Sequence, residues 1–122
     1  MELSAQSRIL MIGSDQALSY LIGRFAERCG YGVSALQWIP SAAEARALEP
    51  AAVLFQSLER LESSQTLAKD LAECDVPVLV CSSVADEARA RELGADRCLL
   101  HPLTYESLLT ALSAAIKWKH LI

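Results

Sequence analysis

The sequence predicts an α/β domain in which helices cover both faces of a parallel five-stranded sheet. Short, unbroken apolar runs at residues 8–12, 51–55 and 76–81 are typical of strands that are buried on both faces. Amphipathic segments with helical periodicity alternate with these runs, and the loops that join them are short. We find no linker, repeat or low-complexity segment, so the alternation indicates one domain with right-handed crossovers between parallel strands.

The first strand, at residues 8–12, is followed by Gly13, Ser14 and Asp15 and then by a helix. Ser14 or Asp15 is suited to cap that helix, because a short polar side chain can accept a hydrogen bond from the free N–H groups of the first turn. A second strand is expected at residues 31–36. The apolar face of the first helix is predicted to consist of Leu18, Leu21, Ile22, Phe25 and Ala26.

The middle of the chain is predicted to supply a short helix and the central strand. Ser41 and Glu44 have the spacing of a capping box, in which each side chain bonds the backbone N–H of the other residue. The strand at residues 51–55 is closed by the polar residue Gln56, and a polar loop at residues 58–64 leads into a third helix. The apolar face of that helix is predicted to consist of Leu67, Ala68 and Leu71.

The last part of the chain repeats the strand–helix pattern twice. The predicted elements are a strand at 76–81, a helix at 85–93, a strand at 97–100 and a helix from residue 105 towards residue 117. The apolar face of the last helix is predicted to consist of Leu108, Leu109, Leu112, Ala115 and Ile116. We therefore assign residues 1–122 to one domain with a core at about 8–116, and residues 117–122 to a tail or the start of a linker.

Composition and charge limit the classes of function. The chain has 122 residues, of which 52% are hydrophobic and only 6% aromatic, so its core must be built from aliphatic side chains. A formal net charge of -4 without a basic stripe argues against binding of nucleic acid or an anionic membrane by this domain. No apolar run reaches the roughly 18 residues that span a bilayer, and we see no secretory signal. We expect a cytoplasmic protein with four reduced cysteines.

Two stretches carry a resemblance to a known family. Residues 77–83 (Pro-Val-Leu-Val-Cys-Ser-Ser) form a proline-led strand that ends in hydroxyl side chains, and residues 92–103 read Glu-Leu-Gly-Ala-Asp-Arg-Cys-Leu-Leu-His-Pro-Leu. With the strand–helix pattern from about residue 8 to residue 116, they resemble the receiver domain of bacterial response regulators. The resemblance implies a flavodoxin-like (βα)5 three-layer sandwich of strand order 2-1-3-4-5. It also implies a regulatory rather than enzymatic role in two-component (phosphorelay) signalling.

The resemblance further implies a phosphorylation pocket at the C-terminal edge of the sheet. In receivers, acidic residues after strand 1 and an Asp after strand 3 hold Mg²⁺, and that Asp becomes an acyl phosphate. A Thr or Ser after strand 4 and a Lys after strand 5 hold the phosphoryl oxygens. By position these roles fall at Gly13 and Ser14, or Ser14 and Asp15, and then at Gln56, Ser82 and His101. Only Ser82 keeps its residue type, and Cys98 replaces the aromatic residue that couples phosphorylation to the surface of the fifth strand.

These substitutions predict a degenerate pocket. The amide of Gln56 is a very poor nucleophile and cannot form an acyl phosphate. Without carboxylates at positions 13, 14 and 56, the negative charge that holds Mg²⁺ is missing. We therefore expect no phosphorylation, no Mg²⁺ and no other cofactor, and we expect Gln56 to form hydrogen bonds with Ser82 or His101.

Several reactive side chains allow a functional or a purely structural interpretation. His101 could be a phosphohistidine, a metal ligand or a pH sensor, but it has no second ligand nearby in sequence and we interpret it as a polar residue in the Lys position. Cys81 and Cys98 fall on neighbouring strands with opposite side-chain orientations, which favours free thiols over a disulfide. The bond before Pro102 corresponds to a Lys–Pro bond that is commonly cis in receivers, and we expect it to be cis here.

The sequence thus favours a phosphorylation-independent, receiver-like binding module. It would contact a partner protein or output domain, or form a homodimer, through the face made by the fourth predicted helix, the fifth strand and the last helix. Charged residues of that face are Arg89, Arg91, Asp96 and Arg97. One alternative is a phosphoaccepting receiver with an atypical pocket that uses Asp15. A weaker alternative is a small-molecule or flavin site near Gly13 and Gln56, for which the chain lacks a phosphate-cradling loop and stacking aromatics.

Overall fold

The computed structural model describes residues 7–120, with side chains up to residue 116. Within these residues, five strands form a parallel sheet in the order β2-β1-β3-β4-β5. The strands are β1 (Arg8–Ile12), β2 (Gly32–Leu36), β3 (Ala52–Phe55), β4 (Val78–Ser82) and β5 (Arg97–Leu100). The flavodoxin-like strand order that the resemblance implied is therefore confirmed.

Helices cover both faces of this sheet. They are α1 (Gln16–Arg28), α2 (Ala42–Ala47), α3 (Leu58–Glu62), α4 (Gln65–Glu73), α5 (Glu87–Glu92) and α6 (Tyr105–His120), and a 3-10 turn (Val84–Asp86) precedes α5. The helices α1 and α6 pack on one face and α2 to α5 on the other, which gives the three layers of the predicted sandwich. No helix within residues 7–120 is both long and apolar enough to cross a membrane.

Two apolar cores, one on each face of the sheet, hold the layers together. On one face Ile9 of β1 packs with Ile22 of α1 and Leu108 of α6. On the other face the next residue of β1, Leu10, packs in the same cluster as Leu71 of α4. Because successive side chains of a strand point to opposite faces, each central strand contributes to both cores. This is why the strands have no polar alternation in the sequence.

The stretch that follows β3 differs from the prediction. The sequence predicts a polar loop at residues 58–64, but Leu58–Glu62 form the helix α3. Ser57 caps this helix, since its Oγ accepts a hydrogen bond from the Arg60 N–H at 3.2 Å, and Leu61 is fully buried beneath it. A helix of one turn is too short to show a periodic apolar pattern, so its cap and a single buried contact determine the structure.

Two residues that were assigned to apolar helix faces are partly exposed. Leu21 of α1 is 39% exposed and Leu109 of α6 is 37% exposed, so the prediction is wrong for both. They lie at the margins of the apolar stripe, where the surface of a helix turns from the sheet towards solvent. The residues predicted for the centres of these faces are buried, namely Leu18, Ile22, Ala26, Leu108, Leu112 and Ala115.

Candidate functional site

The predicted pocket lies at the C-terminal ends of β1, β3, β4 and β5. Gly13 follows β1, Gln56 follows β3, Ser82 ends β4 and His101 follows β5. The Gln56 N–H donates to the Ile12 carbonyl at 2.9 Å and continues the pairing of β3 with β1. The structure brings Gly13 and Gln56 into contact, whereas the hydrogen bonds of the Gln56 side chain go to neither Ser82 nor His101.

The side chain of Gln56 is buried, only 5% exposed, and both ends of its amide are used. Its Oε1 accepts a hydrogen bond from the backbone N–H of Asp15 at 2.9 Å. Its Nε2 donates to Ser19 Oγ at 2.7 Å and lies 3.4 Å from both the Asp15 carbonyl oxygen and Met11 Sδ. The amide therefore ties the end of β3 to the loop between β1 and α1.

The prediction that Gln56 bonds Ser82 or His101 is wrong, and Gly13 provides the physical reason. Gly13 has a φ of +153°, and a Cβ built on it would lie 2.6 Å from the Cβ of Gln56 and still closer to its Oε1. Non-bonded heavy atoms do not approach so closely, since their optimal separation is about 3.5–4.0 Å. Gln56 thus fills the room that a side chain at position 13 would need, and so it turns towards β1 rather than β4.

Asp15 is the N-cap of α1. Its Oδ1 accepts a hydrogen bond from the Leu18 N–H at 3.0 Å, and its backbone oxygen accepts from Ser19 Oγ at 2.7 Å. A carboxylate in this position is stabilised by the free N–H groups and by the positive end of the helix dipole. The acidic residue nearest the pocket is therefore engaged with the helix, while its backbone holds Gln56.

Arg60 is a site residue that was not predicted from the sequence. Its Nη2 donates to Ser14 Oγ at 3.0 Å and its Nη1 to the Gln37 carbonyl oxygen at 2.9 Å. The ion pairs among the described residues all involve other arginines, so no described carboxylate neutralises this guanidinium. A positive charge thus stands beside position 14, where the resemblance implies a carboxylate. The sequence feature that could have indicated this role of Arg60 is its position three residues after Ser57, which caps α3.

The oxygens at this edge do not fit the Mg²⁺ ion that the resemblance implies. Positions 13, 14 and 56 offer no carboxylate, and Asp15 uses a carboxylate oxygen to cap α1. In the part of the chain that the structure describes, no group of three or more His, Cys, Asp or Glu side chains is placed to hold a metal ion. Mg²⁺ takes oxygen ligands in a near-ideal octahedron and is usually bound through one or two carboxylates. The guanidinium of Arg60 beside Ser14 further opposes a cation there.

The ends of β4 and β5 form a separate cluster. Ser82 is buried, and its Oγ donates a long hydrogen bond of 3.4 Å to the Ser83 carbonyl oxygen. Burial raises the pKa of the neighbouring Cys98 thiol, and a hydrogen bond with Ser82 partly offsets this rise. His101 and Pro102 are exposed, and the peptide bond between them is cis.

Cys81 and Cys98 lie on opposite faces of the sheet, as the strand register predicted. Cys81 is part of the core under α1 and α6, whereas Cys98 packs against the core of the other face, and both are free thiols. Burial raises the pKa of Cys81 to about 12, and the negative charge of Asp15 contributes to the shift. Such a thiol is protonated near neutral pH and has little nucleophilic character, so the prediction of buried free thiols is confirmed for this residue.

The predicted partner face is partly engaged in contacts within the domain. Arg89 and Arg91 form ion pairs with glutamates of α3 and α5 at 3.1–3.6 Å. The Asp96 carboxylate accepts a hydrogen bond from the Val78 N–H at 2.8 Å. Arg97 is exposed on the edge strand β5. Exposed ion pairs of this kind contribute little to stability.

Comparison with known proteins begins with sequence. No protein-family model matches the chain. The chain is 29% identical over 118 residues to the DNA-binding dual master transcriptional regulator RpaA of Synechocystis sp. strain PCC 6803. This match covers 90% of the chain and 49% of the relative, so the chain spans about half the length of that protein.

Solved structures show a closer likeness in three dimensions than in sequence. A response regulator receiver domain protein from Clostridium thermocellum is 20% identical with a TM-score of 0.70, and the match covers 94% of this chain and 98% of that one. The receiver domain of a sensor histidine kinase from Pseudomonas aeruginosa PAO1, solved with magnesium in its active-site cleft, is 17% identical with a TM-score of 0.70 over 93% of this chain and 99% of that one. The fold is that of receiver domains, and together with the sequence match it supports the predicted resemblance.

Proposed function

We propose that this chain is a degenerate receiver domain of a two-component system that signals through protein contacts without being phosphorylated. The observation that carries the proposal is the amide of Gln56 in the phosphoacceptor position, buried and hydrogen-bonded at both ends to Asp15 and Ser19. A receiver needs an ionised carboxylate here to attack phosphorus. A neutral amide, hydrogen-bonded through both its oxygen and its nitrogen, lacks the negative charge for that step.

The surroundings of Gln56 support the same proposal. Phosphoryl transfer in receivers depends on a cation that neutralises the transferring group, and the loop after β1 offers Gly13 and Ser14 where carboxylates would bind it. The Arg60 guanidinium already donates a hydrogen bond to Ser14. We therefore propose that the domain takes no Mg²⁺ and no other cofactor. Its regulatory state depends on which protein it contacts.

The partner is proposed to be an output domain or a regulatory protein, with a homodimer as another arrangement, and the exposed Arg97 marks the face on β5. The relative of about twice the matched length is named as a DNA-binding transcriptional regulator. Control of transcription is accordingly the output that we propose for the system, exerted through another segment or another protein. The formal net charge of -4 argues against direct DNA contact by this domain.

The direct test is incubation with acetyl phosphate or beryllofluoride in the presence of Mg²⁺, beside a receiver domain that has an intact acidic pocket. Intact-mass spectrometry is expected to show no phosphoryl adduct on this chain and a stoichiometric adduct on the control. The tryptophan fluorescence of this chain is expected not to change on addition of Mg²⁺. Stoichiometric uptake of phosphate, or a saturable response to Mg²⁺, would overturn the proposal.

One alternative is a receiver that accepts phosphate on Asp15, whose backbone N–H lies 2.9 Å from Gln56 Oε1. In that case peptide mapping would place the phosphoryl group on residue 15, and Asp15→Asn would abolish it. Asp15→Asn is a suitable control because asparagine also caps helices, so α1 should remain intact. We expect no adduct in either protein.

A stricter test restores the acid at the phosphoacceptor position alone. Gln56→Asp should give no Mg²⁺-dependent labelling, because positions 13 and 14 still lack the carboxylates of the metal site. Further, the Cβ of residue 56 would remain too close to any side chain placed at position 13. If the single change gave Mg²⁺-dependent labelling, this account of the pocket would be wrong.

A further inference from the structure

The outer side of β2 is an open edge of the sheet. In the order β2-β1-β3-β4-β5, only β1 pairs with β2 among the described residues. The Gly32 N–H donates to the Ser7 carbonyl at 2.8 Å, which directs the peptide groups of Gly32 and of every second residue after it to β1. The peptide groups of Val33 and Ala35 therefore point outward, and Ala35 is exposed. Such an edge can pair with another strand.

Two arginines cover outward carbonyl groups of this edge. Arg8 reaches across from β1, and its Nη2 donates to the Val33 carbonyl at 2.7 Å while its Nε donates to Ser34 Oγ at 2.9 Å. One residue beyond β2, the Gln37 carbonyl accepts from Arg60 at 2.9 Å. The carbonyl of Ala35 lies between them, and no arginine covers it.

The charges along this edge are not neutralised within the described part of the domain. Arg8 and Arg60 have neutral acceptors, and Arg24 of α1 donates to the hydroxyl of Tyr20 at 2.9 Å and lies over its ring. Three other arginines behave differently, since they form ion pairs with carboxylates: Arg46, Arg89 and Arg91. A chain of formal net charge -4 thus has a local concentration of positive charge beside β2.

A groove runs beneath the same edge, between α1 and β2. Its volume is about 470 Å³, and its walls include Met11, Val33 and Ala35. A second depression of about 330 Å³ continues it past Arg24, with Glu27 as its acidic lining residue. Gly23 of α1 lines both, and a Cβ added to it would meet nothing within 4 Å, so this part of the groove is unfilled. These volumes suit the side chains of an extended peptide.

We propose that the β2 edge is the docking site for an extended, acidic segment of a partner protein, which adds to the sheet as a sixth strand. Its backbone pairs with the outward peptide groups of Val33 and Ala35, and alternate apolar side chains enter the groove. Its carboxylates form ion pairs with Arg8, Arg24 and Arg60. When the new strand pairs with β2, Arg8 gives up its hydrogen bond to the Val33 carbonyl. This site is separate from the pocket at Gln56 and does not depend on whether that residue accepts phosphate.

Charge distinguishes this occupant from two others. A second copy of the chain would place its own β2 and Arg8 against this edge, and like charges directly opposite each other in a sheet are destabilising. A nucleic acid strand would use the arginines but not the peptide N–H groups of Val33 and Ala35, and the overall charge of -4 would repel it. An acidic peptide can form hydrogen bonds with the outward backbone groups of β2 and ion pairs with the arginines.

The test is a selection of displayed random dodecapeptides on the wild-type domain, followed by synthesis of the selected sequences. We expect sequences with alternating apolar and acidic residues, whose affinity falls as salt is raised. In amide NMR spectra of the domain, Val33 and Ala35 should shift on binding, whereas Arg97 on the opposite edge should not. A fluorescent single-stranded oligonucleotide and sedimentation of the domain alone serve as the comparison arms.

Variants separate backbone pairing from charge. Ala35→Pro removes an outward N–H that the sheet does not use and should weaken binding about tenfold. Arg8→Gln and Arg60→Gln should each weaken binding about two- to fivefold, and Arg89→Gln, which alters a paired arginine elsewhere, should leave it unchanged. Because a proline in a strand can also distort β2, the circular dichroism of Ala35→Pro is compared with that of wild type. In addition, a peptide methylated on alternate backbone nitrogens is tested on the unaltered domain. That peptide should not bind.

Any of several results would overturn the proposal. These are no selected peptide, selected peptides without acidic residues, equal binding of the methylated peptide, and shifts confined to residues away from β2. Binding of the oligonucleotide in place of peptides, or self-association that Ala35→Pro abolishes, would assign the edge to a different occupant and would also overturn it. Such a result does not bear on the proposal that the domain is not phosphorylated, because that proposal is tested separately by the mass of a phosphoryl adduct.

Discussion

The two halves of the C-terminal sheet edge depart from the receiver pattern in different ways. At the ends of β1 and β3, Gly13 and Gln56 fit each other, and the amide is bonded to the loop that follows β1. At the ends of β4 and β5, the hydroxyl of Ser82 and the cis bond before Pro102 remain, but they share no hydrogen bond with Gln56. One half of this edge is therefore packed and hydrogen-bonded around Gln56, whereas the other half is not tied to that side chain.

The largest effect expected from this difference is at Gly13. Gly13→Ala should destabilise the domain by about 2–4 kcal/mol, because its Cβ would overlap Gln56 and because its φ is unfavourable for any side chain. The measurement is the free energy of unfolding in urea. Gly23→Ala is the matched control. That helical position has no atom within 4 Å of the added Cβ and should gain about 0.5–1 kcal/mol. Equal changes in unfolding free energy for Gly13→Ala and Gly23→Ala would contradict the close fit between Gly13 and Gln56.

A smaller loss is expected when the amide itself is removed. Gln56→Ala should cost about 1–3 kcal/mol, since the Asp15 N–H and the Ser19 hydroxyl lose a partner in a buried site. Hydrogen exchange of the Asp15 amide should speed up in the same variant, which a purely apolar loss would not cause. A stability within error of wild type would show that the amide does not hold the loop.

Arg60 provides the next prediction, a coupling of about 0.5–1 kcal/mol between residues 14 and 60 in the Ser14→Asp variant. An aspartate at position 14 would pair with the guanidinium that now donates to Ser14 Oγ at 3.0 Å. A double-mutant cycle with Ser14→Asp and Arg60→Gln measures the coupling, which should shrink at high salt. If the stability of Ser14→Asp rose only when Mg²⁺ was added, the aspartate would be binding the metal and not Arg60.

The smallest effect should come from the half of the edge that was left in place. Ser82→Ala should change the unfolding free energy by about 0.5 kcal/mol or less, because its hydrogen bond to the Ser83 carbonyl oxygen is 3.4 Å long and its other partner, the Cys98 thiol, forms only weak hydrogen bonds. The same urea titration measures it. A loss as large as that of Gln56→Ala would mean that both halves support the fold equally, and the contrast between them would disappear.

The three central strands β1, β3 and β4 could be predicted from sequence because they are buried on both faces and so appear as apolar runs, whereas the strand order came from the resemblance. The helix α3 could not, since it is a single turn stabilised by the cap of Ser57 and by the burial of Leu61. Leu21 and Leu109 have the sequence spacing of an apolar helix face, yet both are partly exposed. Spacing alone does not indicate how much of that face the neighbouring elements cover. Tertiary packing decides those margins.

At the site, the residue types were predictable and their partners were not. The positions of Gln56, Ser82 and His101 came from the resemblance to receivers, whose functional residues follow strands that end at a common edge. The direction of the Gln56 side chain depended on the missing side chain at Gly13, which directly follows the adjacent strand β1 and lies far away in sequence. Arg60 reaches Ser14 from a helix that had been predicted as a loop, so its contact was missed together with the cap of α3 at Ser57.

The close fit of Gln56 against Gly13 has a consequence for how this chain can change over generations. A side chain cannot return to position 13 while the one at position 56 fills its place, and shortening residue 56 first removes the bond to Asp15. A single substitution at position 13 or at position 56 therefore gives a less stable protein. Positions 13 and 56 are therefore coupled, because the side chain that one of them can accept depends on the side chain present at the other.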